Sequence, residues 1–197
     1  MPVGQSARDG TASPASSAAP SPTGGGPTAT ATAPTAAPGW LNDPAQAKAA
    51  GRVGAGGNCA IPGSFGRADK WSVVDVSKLG VVDHGLELRC EIDGEPAGVL
   101  GVMRVWVGPS GTDPRGALDT FVRSSTVAPQ DVAYRDVKIG SSDGVEVSYR
   151  SDDHVTRAFA APAPGRVVLV IWGGEADAFE AGLPAYVLAR STDAPAG

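Results

Sequence analysis

Apolar and polar side chains alternate strictly over residues 86–92. Leu86, Leu88, Cys90 and Ile92 fall in one phase, and Glu87, Arg89 and Glu91 in the other. A period of two sends successive side chains to opposite faces of a strand, so this segment predicts a strand with one buried face. Residues 99–107 are apolar in both phases, with Val99, Met103, Val105 and Val107 on one face and Leu100, Val102, Arg104 and Trp106 on the other. That pattern predicts a central strand. Further strands are expected over residues 71–76, 132–139, 145–150, 155–160 and 167–172. Ser142-Asp143-Gly144 and Pro164-Gly165 supply turns between successive strands, which favours antiparallel hairpins.

Two segments switch to helical spacing. Thr112-Asp113-Pro114 places a capping side chain before a proline at the first helical position, and Leu118, Phe121 and Val122 then share a face. The second helix is expected from about residue 175 to 189, with Phe179, Leu183, Tyr186 and Val187 on one stripe. Pro184 should break or kink it, because an interior proline costs about 3 kcal/mol. The order is three strands, a helix, four strands and a closing helix. It predicts an α+β domain, a largely antiparallel sheet of about seven strands covered by helices.

Composition limits where that domain lies. Of the first 39 residues, 34 are Ala, Thr, Pro, Gly or Ser, and none is aromatic. Such a stretch buries too little apolar surface to offset an ordering entropy of roughly 1 to 2 kcal/mol per residue, so residues 1–39 are expected to be a disordered tether. Residues 40–57 read as a linker, with a short helix from Asp43 to Ala50 followed by Gly54-Ala55-Gly56-Gly57. Residues 58–192 are then the single folded domain, and 193–197 a disordered tail.

Charge separates the two parts. Residues 1–57 carry Arg8, Lys48 and Arg52 against Asp9 and Asp43, which leaves a net −6 on the remainder of a chain whose total is −5. An acidic domain lacks the basic surface that releases counterions on DNA or RNA, so nucleic acid is excluded as an expected partner. No run of about 18 apolar residues is present to cross a membrane as a helix. Met1-Pro2-Val3-Gly4 has neither the basic nor the apolar segment of a signal peptide. The low-complexity arm and the even cysteine count nevertheless point to an exported chain whose export signal lies upstream.

Cys59 and Cys90 are the only cysteines. As a disulfide they would pin the start of the domain to a strand, worth roughly 3.5 to 4 kcal/mol in the chain-entropy account. Free thiols and a redox or metal pair are the alternatives. Redox chemistry normally uses a closer C-x-x-C spacing, and zinc would need two further ligands when only His84 and His154 remain.

The Ile61-Pro62-Gly63-Ser64-Phe65 entry leading to Trp71, the Gly116-Ala117-Leu118-Asp119-Thr120-Phe121-Val122 helix and the closing Leu183-Pro184-Ala185-Tyr186 resemble uncharacterised streptomycete lipoproteins. The resemblance covers nearly all of the domain, including both cysteines. Those lipoproteins are similar in turn to the PsbP-like and LpqN-like α/β/α sandwich. The resemblance implies an extracytoplasmic surface domain, anchored to the membrane in its full-length precursor by a lipidated cysteine. It carries no shared catalytic residues.

The search for chemistry returns little. His84 and His154 lie between strands with no nucleophile elbow beside them, so no catalytic residue is assigned. Ser151-Asp152-Asp153-His154 could chelate a metal only if adjacent side chains on a turn converged, and no metal or other cofactor is expected. Glu87, Arg89, Glu91, Arg104, Trp106, Glu146 and Arg150 are expected to project from one face of the sheet. They form either a set of cross-strand ion pairs or a polar groove floored by Trp106, and Arg89, Arg104, Trp106, Glu146 and Arg150 are its ligand-facing candidates. The resulting expectation is a non-catalytic interaction module for an envelope protein, peptidoglycan or a small ligand. About 50 disordered residues would hold it off the envelope at a reach of roughly 40 Å. A lipid or cofactor carrier would instead need an apolar cavity between sheet and helix. A hydrolase of wall polymer would need a carboxylate facing a histidine or a second carboxylate in a cleft.

Overall fold

Tight turns between long strands build most of the sheet. The computed structural model describes residues 43–54 and 58–195. In it β7 (Gln130–Ile139), β8 (Ser142–Ser151), β9 (His154–Ala163) and β10 (Arg166–Glu175) form a continuous antiparallel meander. Asp152 (φ 51°) and Gly165 (φ 67°) take the left-handed conformation that such two-residue connections require. β6 (Val102–Gly108) joins the free side of β10 and β5 (Leu86–Asp93) pairs with β6. The outer edge of β5 is shared end to end by β3 (Ser72–Asp75) and β4 (Val82–Asp83), and the sheet runs β3-β5-β6-β10-β9-β8-β7.

Both faces of this sheet are covered, as the apolar character of both phases in β6 predicts. α1 (Pro114–Arg123) lies on one face, capped by Asp113, whose side chain accepts from the Gly116 N–H at 2.9 Å. Its Ala117, Leu118 and Val122 pack with Leu88, Trp106, Val147, Ala160 and Leu169. α2 (Ala176–Thr192) lies on the other face. Phe179, Leu183 and Tyr186 pack there with Met103, Val105, Phe159, Val170 and Trp172. Of the expected break or kink at Pro184, the break does not occur, and α2 runs through it to Thr192. The buried stripe from Phe179 to Ala189 outweighs one missing backbone hydrogen bond. Close approach of α2 to the sheet depends on Gly182, where a Cβ would sit 2.0 Å from Trp172 Cζ2.

A second, three-stranded sheet corrects the expected boundaries. Residues 43–50 are not helical. Residues 43–48 have no regular secondary structure, and β1 (Ala49–Gly54) pairs antiparallel with β2 (Gly63–Ala68). Local alanine content favoured a helix, but strand pairing and burial of Val53 under the core override that weak preference. The folded domain therefore takes in β1, which lies within the expected linker. At the other end β11 (Ala194–Pro195) pairs with β2, so the domain also extends past residue 192. The arm expected over residues 1–39, and residues 40–42, 55–57 and 196–197, lie outside the described residues.

Cys59 and Cys90 form a disulfide with Cα atoms 5.7 Å apart, both side chains buried. It joins the entry to β2 to the middle of β5. The same strand carries the second correction. A β-bulge shifts the register between Leu88 and Cys90, so Leu86 and Leu88 pack on the α1 side while Cys90 and Ile92 pack on the α2 side. One inserted residue exchanges the faces of everything beyond it.

Candidate functional site

The polar face expected from alternation does not assemble. Trp106 opposes Leu88 and Leu169 and is buried on the α1 side. Arg104 lies two residues before it on the same strand, and its Nε donates to Glu91 Oε1 at 2.9 Å. On β8, Val145, Val147 and Tyr149 occupy the α1 side, so Glu146 and Arg150 take the opposite face. Arg89 sits at the bulge, donating to the Ala60 carbonyl at 3.1 Å and to Glu87 at 3.0 Å. The thickness of the sheet thus separates Arg104 and Trp106 from Glu146 and Arg150. The groove of five ligand-facing residues is replaced by separate local contacts.

Glu146 belongs instead to a cluster that strand alternation alone did not reveal. Its side chain is fully buried, as are Arg157 on β9 and Tyr186 on α2. Glu146 Oε1 accepts from Arg157 Nε at 3.0 Å, Arg157 Nη2 at 2.6 Å and the Tyr186 hydroxyl at 2.8 Å. Its Oε2 accepts from Arg135 Nε at 2.8 Å, Arg135 Nη2 at 2.6 Å and Arg190 Nη1 at 2.8 Å. Both carboxylate oxygens are therefore saturated, which suits a structural anchor rather than a proton-transferring acid.

Asp43 closes the cluster from outside. Its Oδ1 accepts from Arg157 Nη2 at 2.9 Å, its Oδ2 accepts from Arg190 Nη2, and Arg135 Nη2 lies 3.5 Å from that same oxygen. Burial pushes the Asp43 carboxyl up, but its hydrogen bonds to Arg190 and Arg157 and their charges outweigh this and bring it down to about 2. Burial, reinforced by the adjacent Glu146 charge, holds the Tyr186 phenol well above its usual range. Three guanidinium groups facing two carboxylates leave one positive charge in excess.

The remaining candidates are peripheral. His84 is exposed on the turn between β4 and β5, where its Nδ1 lies 2.6 Å from Asp83 Oδ1. His154 opens β9 and, with Arg104, Phe121, Tyr149 and Thr156, lines a recess of about 220 Å³ beside α1. Among the described residues no three His, Cys, Asp or Glu side chains are placed to share a metal ion, so Ser151-Asp152-Asp153-His154 does not form a chelating group. A larger surface groove of about 960 Å³ runs between Leu100, Arg150, Val155 and the first turn of α2.

Exposed apolar surface is more concentrated. Val74, Leu79, Val81 and Val82 are 47, 72, 41 and 61% exposed, and all lie within nine residues along the open edge formed by β3 and β4. A 3₁₀ turn, η1 (Ser77–Leu79), interrupts that edge and carries Leu79 outward.

Asp43, Arg135, Arg157 and Arg190 were not singled out as site residues from sequence, and Tyr186 was read only as part of the apolar stripe of the closing helix. Arg157 carried a usable signal: it occupies the same phase as Phe159 and Ala161, which are buried. Tyr186 and Arg190 are one helical turn apart and so share a face of α2. Asp43 offered no signal, since its hydrogen-bond partners Arg157 and Arg190 lie more than a hundred residues away.

A family described as an uncharacterised lipoprotein matches residues 30–192. The solution structure of cyanobacterial PsbP (CyanoP) from Synechocystis sp. PCC 6803 is similar, with a TM-score of 0.51 at 10% sequence identity, covering 74% of this chain and 91% of that one. At that identity the likeness is one of fold, and it agrees with the α+β sandwich described above. No curated protein matches the chain.

Proposed function

Because the chain belongs to this family of uncharacterised lipoproteins, an extracytoplasmic group, we propose that its domain is a non-catalytic interaction module, held at the membrane through its N-terminal region and docked to a protein partner. The observation that carries this reading is the apolar edge from Val74 to Val82. Large apolar side chains left in water at one site, on a domain that covers both faces of its main sheet, favour a surface that a partner buries. Asp75 and Asp83 flank these residues and Lys78 lies among them, a net charge of −1. That balance disfavours an anionic bilayer and favours a protein with an apolar recess. The interruption of the edge by η1 argues against strand addition along its whole length. Leu79 and Val82 would act as the central anchors.

A non-catalytic role is supported by the saturation of Glu146 and by the open position of His84. The test is recovery of partners from envelope extract by the wild-type protein, by Leu79→Glu/Val82→Glu, and by a control pair placed elsewhere, Lys138→Glu/Arg166→Glu. The wild type and the control are expected to retain a common partner that the edge variant loses, with near-UV circular dichroism unchanged in all three. Equal recovery by all three proteins, or by none, contradicts the reading.

A further inference from the structure

The arginine cluster has the construction of a binding site, with one of its two carboxylates in the place of a ligand. Glu146 lies underneath and is fully buried. It fixes Arg135, Arg157 and Arg190 through five hydrogen bonds, and none of those bonds involves Asp43. The three guanidinium groups are therefore oriented before Asp43 arrives. Asp43 approaches from the solvent side on a strap, residues 43–48, of which Asp43, Ala45, Gln46 and Lys48 are exposed. The strap is held by backbone bonds at its far end, from Ala47 N–H to the Pro184 carbonyl at 3.0 Å and from Asp69 N–H to the Lys48 carbonyl at 2.8 Å. Asp43 itself is held by the arginines, each of its oxygens accepting one charge-assisted hydrogen bond from a different guanidinium.

We propose that Arg135, Arg157 and Arg190 form a carboxylate-binding site in which Asp43 is the resident intrachain ligand, and that the site accepts a carboxylate from another molecule when the strap is displaced. Removing Asp43 takes one negative charge away from the three guanidinium groups and vacates the place of one carboxylate. A tethered carboxylate acts at an effective concentration in the millimolar range or above, so a dilute external carboxylate does not compete while the strap is seated. This inference is independent of the Val74–Val82 edge.

The test is rescue of Asp43→Ala by a small carboxylate in the full chain at pH 7. Asp43→Ala is expected to melt below the wild type, and 100 mM sodium acetate is expected to raise its Tm by about 3 to 5 °C more than equal sodium chloride does, as a site of roughly 10 mM affinity requires. The wild type, Asp43→Asn with its slot still filled, and Asp43→Ala/Arg190→Ala with a dismantled site are expected to respond equally to the two salts. An equal response of Asp43→Ala to acetate and chloride overturns the proposal. So does an acetate-specific rise of the same size in Asp43→Asn or in the double variant. Should Asp43→Ala be unfolded in buffer, recovery of its near-UV spectrum by acetate but not chloride supports the site, and no recovery overturns it.

Discussion

Replacing Glu146 by Gln removes the charge around which three arginines converge while keeping nearly the same volume. Arg157 is 0% exposed and cannot reach water to compensate. An ionised group left buried without its counter-charge costs about 3 to 5 kcal/mol. Two features set where in that range the loss should fall. Asp43 still faces Arg157 at 2.9 Å, which moderates the loss. The new amide turns a donor toward guanidinium donors, which adds to it. We therefore expect a loss of about 3 to 4 kcal/mol at pH 7, or roughly 6 to 16 °C in Tm for a domain of this size. Urea unfolding followed by far-UV circular dichroism, with an unchanged m-value, is the appropriate measurement. Glu146→Gln/Arg157→Met should lose less than the single variant, because it also removes the stranded charge. A single-variant loss below about 1 kcal/mol would place the cluster among solvated surface pairs. A double variant whose loss equals the sum of its parts would show that the two residues are not coupled. Either result refutes the reasoning.

Two further perturbations address packing and titration. Gly182→Ala puts a methyl group 2.0 Å from Trp172 Cζ2 at the contact between α2 and the sheet, so despite the better helix propensity of alanine it should destabilise by about 1 to 3 kcal/mol in urea unfolding; a neutral or stabilising result contradicts that packing. Burial pushes the Asp193 carboxyl up to about 6, with Arg52 only partly opposing it, against an ordinary value of 3.8. The folded protein then holds a proton that the unfolded chain has already released, so this contribution to stability is full below about pH 4, declines as pH rises toward 6 and is absent above it. Asp193→Asn should match the wild type near pH 4 and exceed it at pH 7 by up to about 3 kcal/mol, as measured by urea unfolding at the two pH values. A variant less stable than wild type at pH 7 contradicts the burial account.

The parts of the fold legible from sequence were those decided over short distances. The strand positions of β6 and β8–β10, the Asp113-Pro114 start of α1 and the turn at 164–165 all depend on neighbours within a few residues, whereas Ser142-Asp143-Gly144, expected as a turn, opens β8 because the chain already reverses at Gly140 and Ser141. The disulfide was legible too, because two cysteines in a chain of this composition left few alternatives. The expected helix over residues 43–50 failed because the strand pairing of Ala49–Gly54 with Gly63–Ala68 is a tertiary gain that alanine content cannot register.

The expected polar face failed for a more instructive reason. Alternation gives the phase of a side chain along its own strand, but it does not say which phases of different strands share a face. That depends on register, and the bulge between Leu88 and Cys90 shows how one residue in β5 reverses the answer for half a strand. With Trp106 on the α1 side and Glu146 on the α2 side, charged residues that look alike in sequence have opposite fates. Arg104 stays at the surface opposite Glu91, where its pairing is worth a few tenths of a kcal/mol, while Glu146 is sealed against Arg157, where losing a partner costs several. What distinguishes them in the sequence is the arginine at position 157, in phase with Phe159 and Ala161. A charged residue on the buried phase of a strand needs a partner of opposite sign, and here that need is met by Glu146 on the neighbouring strand and by Asp43 from 114 residues away. The buried arginine, rather than any cluster of exposed charges, is therefore the position from which the site could have been sought.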